Sequence, residues 1–242
     1  LQDHLQARPV FKTDLTTINN ETNNYFKKAL IGLQYILTQS GPMTMAASLG
    51  TGFLRTESHL ETPDIQFHIQ PFSADMPSTR THAFSAFTAS VLQLRPESTG
   101  FLTLKSPNYN DHPDIHPNYL ATDTDCRTIV KAVQMARRIV EYEPLKKHVL
   151  EEYAPGGHVA FEDEQATLDW VRQTAVTIYH PTGTCKMGTD EMSVVNPSLK
   201  VRGVDCLRVA DASIMPKITS GNTNAPAIMI GEKASDLILK EA

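Results

Sequence analysis

The sequence predicts an α+β fold, an antiparallel sheet flanked by helices, and three observations predict it. Short runs between residues 65 and 104 alternate apolar and polar side chains, as half-buried antiparallel strands do. Later segments place apolar residues at the 3.6-residue spacing of amphipathic helices. The chain of 242 residues has ordinary apolar and charged content and no low-complexity tract, so it can bury a core and is not disordered.

Taken in order, residues 1–45 are mixed. Leu1-Gln2-Asp3-His4-Leu5-Gln6 reads as the middle of an element, and the chain opens on Leu rather than Met, so it is expected to be part of a longer polypeptide. Tyr25 to Leu37 carries a helical period that Gly41-Pro42 stops. Ile65–Gln70, Phe84–Leu94 and Gly100–Leu104 read as strands, and residues 106–118 as turns. Asp123 and Thr124 are candidate caps for a helix whose apolar stripe is Ile129, Val130, Val133, Ala136, Ile139 and Val140. Gly156-Gly157 breaks the chain before a second helix over Glu162–Thr177. Leu207-Arg208-Val209-Ala210 has the pattern of a buried strand, and a last helix starts near Ala225.

Bulk properties exclude several functions. A net charge of −5, with basic residues clustered only as the doublets Arg137-Arg138 and Lys146-Lys147, argues against a nucleic-acid partner. Cys126, Cys185 and Cys206 are odd in number and lack metal-type spacing, which suits free thiols in a reducing compartment. No apolar run is long enough to span a bilayer, and no signal peptide is expected. Gly50-Thr51-Gly52-Phe53-Leu54-Arg55 begins like a dinucleotide loop but has Arg at the third glycine. His112 and His116 are separated by Pro113, which forbids the helix that would align them on a metal. No Gly-x-Ser-x-Gly is present, and nothing in the turn between His180 and Cys185 aims the thiol at the imidazole.

The chemistry concentrates near the C-terminus. His180 ends an ordered run and precedes a Pro-Thr-Gly turn, a place from which an imidazole can reach a cavity and take a proton near neutral pH. A lone histidine there would more often be a core or capping residue. Asn222 and Asn224 flank the start of the last helix and read as its N-caps, with Pro226 tolerated in the first turn. That helix start offers free N–H groups and a positive dipole end to an anion. Asp211-Ala212 reads by itself as a strand end followed by a loop.

Together, Tyr179-His180-Pro181-Thr182-Gly183-Thr184-Cys185-Lys186-Met187-Gly188, Leu207 to Pro216 and Gly221-Asn222-Thr223-Asn224-Ala225-Pro226 resemble the C-terminal half of a glucose–methanol–choline (GMC) flavoprotein oxidoreductase. Gln93-Leu94-Arg95-Pro96 and Pro117-Asn118-Tyr119-Leu120 fit that family's substrate domain, and Leu1-Gln2-Asp3-His4 fits the end of its central FAD-contacting segment. The resemblance implies FAD as cofactor, His180 as catalytic base and Asn222 as its partner on the substrate oxygen. It implies cofactor contacts at Tyr179, Asp211, Ala212, Asn222, Thr223 and Asn224, and no metal. It divides the chain into a linker from the FAD-binding domain (1–45), a substrate-binding domain (46–177) and a C-terminal segment (178–242) returning to the FAD-binding α/β domain. The N-terminal Gly-x-Gly-x-x-Gly turn of the family is absent, so the chain is expected to be a partial enzyme.

The implied reaction is oxidation of a small-molecule alcohol to an aldehyde, with hydride passing to flavin. The tail is most similar to the choline dehydrogenase and bacterial alcohol dehydrogenase branch. The implied location is cytoplasmic or peripheral to the inner membrane. A hydroxynitrile-lyase-like flavoprotein and a non-catalytic substrate-domain module stand as alternatives. The electron acceptor and the oligomeric state leave no mark in the sequence.

Overall fold

Residues 1–13, which show no strong period, form two strands, β1 (Leu5–Ala7) and β2 (Val10–Thr13). The structure, a computed structural model, describes residues 1–240 other than Ala47, Pro77 and Ser78. A short helix α1 (Ile18–Thr22) precedes α2 (Tyr25–Thr38), which the Asn24 side chain caps by accepting the Lys27 N–H at 3.1 Å. Next come β3 (Gly50–Leu54), β4 (Ile65–Gln70), β5 (Ala86–Gln93), β6 (Phe101–Thr103) and β7 (Asp114–His116). Helix α3 (Asp123–Ile139), β8 (Val149–Ala154), α4 (Glu164–Thr174), the two-residue β9 (Val176–Thr177) and α5 (Asn224–Leu239) complete the chain. The α+β class and antiparallel pairing predicted from the sequence are those of the structure.

The chain divides into two compact units. One comprises Gln6–Leu92 and Arg127–Val176; the other gathers Leu1–Leu5, Gln93–Cys126 and the chain from Thr177 onward. In the first unit β5 is central. It lies antiparallel to β1, with Gln6 opposite Leu92, and to β2, with Val10 opposite Thr88 and Lys12 opposite Ala86. These pairings share one register, so β1 and β2 act as a single strand. Pro9, which has no N–H to donate, interrupts the ladder while its carbonyl still accepts from Ala89 at 2.9 Å. β8 pairs with β2, and β3 pairs with β4 from Gly50–Ile69 to Leu54–Ile65. Phe11, Ile65, Val91 and Leu92 are buried in this unit, as are Ile129, Val133 and Val171 from its helices. Arg137 fastens α3 by donating to Glu152 at 2.8 Å and to the Val159 carbonyl at 2.9 Å.

In the second unit β6 and β7 pair alone as a two-stranded ribbon, with Phe101 opposite His116 and their rings stacked. Val195, Leu199, Ile214, Met215, Ile230 and Ala234 form a core on which α5 rests.

Several expectations are corrected. The segment 106–118 contains β7 rather than turns alone, and Gly50–Leu54 is a strand. The cap of α3 is Thr122, whose Oγ1 accepts the Asp125 N–H at 3.2 Å, not Asp123 or Thr124. Leu207–Ala210 is not a buried strand. Arg208 makes a single bridge to Lys200 and Leu207 is 48% exposed. The N-cap position of α5 belongs to Thr223 rather than Asn222 or Asn224.

Candidate active site

The second unit assembles the site from three distant stretches of chain. Gln2 is the first fastening. Its backbone exchanges hydrogen bonds with Thr182 at 3.0 and 2.8 Å. Its side chain donates to the Pro96 carbonyl at 2.8 Å and accepts the Ile218 N–H at 3.0 Å. Gln2 thereby holds the His180 turn through its backbone and, through its side chain, Pro96 and the run leading to Asn222.

Asp3 is the second fastening, and it is buried. One carboxylate oxygen accepts the backbone N–H groups of His4 and His180, each at 2.9 Å. The other accepts the hydroxyls of Tyr119 and Thr177. Burial, with the hydrogen bond to Asp3, pushes the Tyr119 phenol well above its usual range, so it stays a donor. Thr177 Oγ1 in turn accepts the Tyr179 N–H at 2.9 Å, which supports Tyr179 in a left-handed conformation with φ 64°. Such a backbone is uncommon for an aromatic residue, and it falls immediately before His180.

The imidazoles form a directed chain. His4 is fully buried. Its Nε2 lies 2.9 Å from the Leu94 carbonyl and its Nδ1 lies 2.9 Å from Nδ1 of His180. A carbonyl oxygen only accepts, so His4 Nε2 carries the proton and its neutral ring presents a lone pair at Nδ1. His180 Nδ1–H donates into that lone pair. The lone pair of His180 is left on Nε2, where the Asn222 amide donates at 3.2 Å. The fold thus selects one tautomer of His180 and directs its basic nitrogen at Asn222. Burial, then the neighbouring His4, hold His180 below the ordinary imidazole pKa, against an opposing pull from the Asp3 carboxylate.

The remaining predicted residues lie along the same framework. The 183–187 run is tied to the 212–214 turn by Gly183 N–H to Ala212 O (3.4 Å), Cys185 N–H to Ser213 O (2.9 Å) and Met187 N–H to Ile214 O (2.7 Å). Gly183 has φ 81°, a conformation that a side chain would strain. Asp211 is exposed and caps that turn, accepting the Ser213 N–H at 2.8 Å. Thr223 is buried, Asn224 is exposed, and the amides of Asn224 and Ala225 have no acceptor among the described residues. Pro226 contributes no N–H, so the first turn of α5 is an open donor site of two amides next to Asn222.

The structure therefore brings His180 and Asn222 into contact and sets Thr223 and Asn224 beside them in sequence. The Ala212 carbonyl is joined to the His180 turn, Asp211 precedes it, and Tyr179 is 67% exposed. The roles of Asp3 and His4 were not read from the sequence, nor was the Leu94 carbonyl's. His4 meets His180 across 176 residues, a separation over which neither periodicity nor spacing carries information.

A family model described as GMC oxidoreductase matches residues 96–231. The alcohol dehydrogenase [acceptor] of Pseudomonas putida is 37% identical over 242 residues, covering 100% of this chain and 44% of that protein. The mitochondrial choline dehydrogenase of Mus musculus is 39% identical over 241 residues, covering 98% of this chain and 40% of that protein. The chain thus spans less than half the length of these relatives. Among solved structures, a formate oxidase variant of Aspergillus oryzae RIB40 superposes with a TM-score of 0.88 at 24% identity, covering 99% of this chain and 46% of that one. Pyridoxine 4-oxidase from Mesorbium loti superposes with a TM-score of 0.78 at 24% identity, over 97% of this chain and 42% of that one. These two likenesses speak for the fold. With the family model covering more than half of its length, the chain belongs to the GMC oxidoreductase family.

Proposed function

We propose that this chain forms the substrate-side half of the active site of an FAD-dependent oxidoreductase that converts an alcohol to an aldehyde, with His180 as the base. The observation that carries the reading is the His4–His180–Asn222 relay, which leaves a basic lone pair on His180 Nε2 beside an amide donor. An alcohol hydroxyl entering between them would donate to His180 Nε2 and accept from Asn222 Nδ2, replacing their mutual bond. Asn222 cannot take a proton, so deprotonation falls to His180. The resulting imidazolium shares its charge with His4 through the Nδ1–Nδ1 hydrogen bond and lies close to the Asp3 carboxylate.

The residues present fit a flavin. The open amides of Asn224 and Ala225 suit the polar, electron-rich edge of an isoalloxazine ring, and Thr219 Oγ1, earlier in the same chain segment, is buried without a partner among the described residues. Tyr179, Asp211, Ala212, Asn222, Thr223 and Asn224 are the residues assigned to hold the cofactor. FAD, when bound, supplies the acceptor for the hydrogen that leaves the carbinol carbon with its electron pair. The names of the relatives favour a small alcohol or choline as substrate.

The test uses the protein expressed with its complete reading frame. His180→Ala is expected to lower kcat about 10²–10⁴-fold while the flavin absorbance of the purified protein is retained. A loss below about tenfold would remove His180 as base. Adding an alcohol anaerobically should bleach the flavin; a flavin that stays oxidised while substrate is consumed would point instead to lyase chemistry.

A further inference from the structure

The first unit carries a surface that the site chemistry does not use. No residue of α2 is buried. Projected at about 100° per residue, Tyr25, Ile36, Leu33, Phe26, Leu37 and Leu30 fall in that order across an arc of about 140°. Phe26, Ile36 and Leu37 are each more than 70% exposed. Lys27 and Lys28 lie about 60° beyond the two edges of this arc, one on each side. Ile31 and Gly32, outside the arc, are the half-buried positions. A helix of this length is marginal in water without packing, so its apolar face needs an occupant.

Charge indicates which occupant. The chain has 27 carboxylate side chains, yet none falls between Glu21 and Glu57. Lys27, Lys28 and Arg55 make that stretch locally cationic in a protein of net charge −5. Further exposed apolar residues, Met43, Leu49 and Phe53, belong to the same stretch. Protein interfaces are depleted in Lys, whereas lysines flanking an apolar stripe reach headgroups while their stems cover hydrocarbon. Its 14 residues extend about 21 Å, too short to cross a bilayer core of about 30 Å, so the helix would lie in the plane of the interface.

We propose that α2 docks the protein on an anionic lipid surface, inserting the Tyr25–Leu37 stripe among acyl chains with Lys27 and Lys28 at phospholipid headgroups. This is independent of the base assigned to His180. The test is flotation of the protein, expressed with its complete reading frame, with vesicles of phosphatidylcholine alone or mixed with phosphatidylglycerol. Binding is expected to the mixed vesicles, weaker to phosphatidylcholine alone, and to fall with added salt. Lys27→Gln and Lys28→Gln should each weaken it roughly fivefold. The pair Leu33→Ser and Ile36→Ser should weaken it at least about tenfold. Flavin content and turnover of a soluble alcohol should be unchanged in all of these variants. Absence of flotation with either vesicle overturns the proposal. So does a dimer that Leu33→Ser with Ile36→Ser converts to monomer, or an α2 whose amides are already shielded from hydrogen exchange by another part of the polypeptide without lipid.

Discussion

Removing the Asp3 carboxylate should separate two consequences that the geometry keeps distinct. In Asp3→Ala, the backbone N–H groups of His4 and His180 lose their common acceptor, and both residues are buried. Each orphaned amide costs about 1–3 kcal/mol, so the variant should lose about 2–6 kcal/mol, a large share of the 5–15 kcal/mol typical of a folded domain. Asp3→Asn should behave differently. Its carbonyl oxygen can keep both amides, while its NH₂ turns toward the hydroxyls of Tyr119 and Thr177, which accept as well as donate. Only the charge assistance is lost, about 1–2 kcal/mol. Urea unfolding followed by circular dichroism gives the two stabilities, and hydrogen exchange reports the His4 and His180 amides directly. Equal losses in the two variants, or unchanged exchange at those amides in Asp3→Ala, would refute the view that Asp3 acts as a shared backbone acceptor.

Other outcomes follow from the same site and its supports. Because burial and His4 hold the His180 pKa down, its neutral form persists to lower pH, and the acidic limb of kcat/KM should have its midpoint below about 6.5. The sign for stability agrees: the fold favours the neutral ring, so this contribution is complete above about pH 6.5 and is lost as pH falls through the depressed value. An acidic limb at or above that pH would contradict the relay. Gly100→Ala should destabilise the protein by about 1–3 kcal/mol, since a Cβ there would run into the backbone oxygens of His116 and Pro117 at the start of the β6–β7 ribbon. A thermal midpoint equal to that of the unchanged protein would show that the ribbon yields freely.

The sequence was most legible where a period could be read within one element. The α3 stripe at Ile129, Val130, Val133, Ala136 and Val140 is buried as expected, while Ile139 at its edge is 37% exposed. β4 and β5 stood out through their alternation, but they are not half-buried as expected: Gln66, His68, Thr88 and Ser90 are buried along with the apolar positions. β1 and β2 did not stand out, since Pro9 divides one strand into two runs too short to register, and β8, Val149–Ala154, carries two adjacent glutamates. Leu207–Ala210 looked like a strand on composition alone, but a strand is made by its neighbours, and Arg208 finds only one. At the site, His180 and Asn222 were visible through their motifs. Asn222 was read both as a neighbour of the base and as a helix cap: its amide lies against His180, and the cap position falls to Thr223. Asp3 and His4 acquire meaning only once the tertiary fold returns residues 177–182 to them.

That return sets the timing of assembly. The unit holding the site is made of three stretches, with the whole of the other unit inserted between them in sequence. On the ribosome His4 emerges 176 residues before its partner His180. At ordinary rates of synthesis that interval is about 10–35 s, during which Asp3 and His4 have no imidazole turn to hold and must wait exposed or held by a chaperone. A polypeptide arrested before Asn222 would carry the sheet and most of the helices yet lack the amide that meets His180 Nε2. The His180 turn thus meets Asp3 and His4 only after the whole of the other unit has been synthesised.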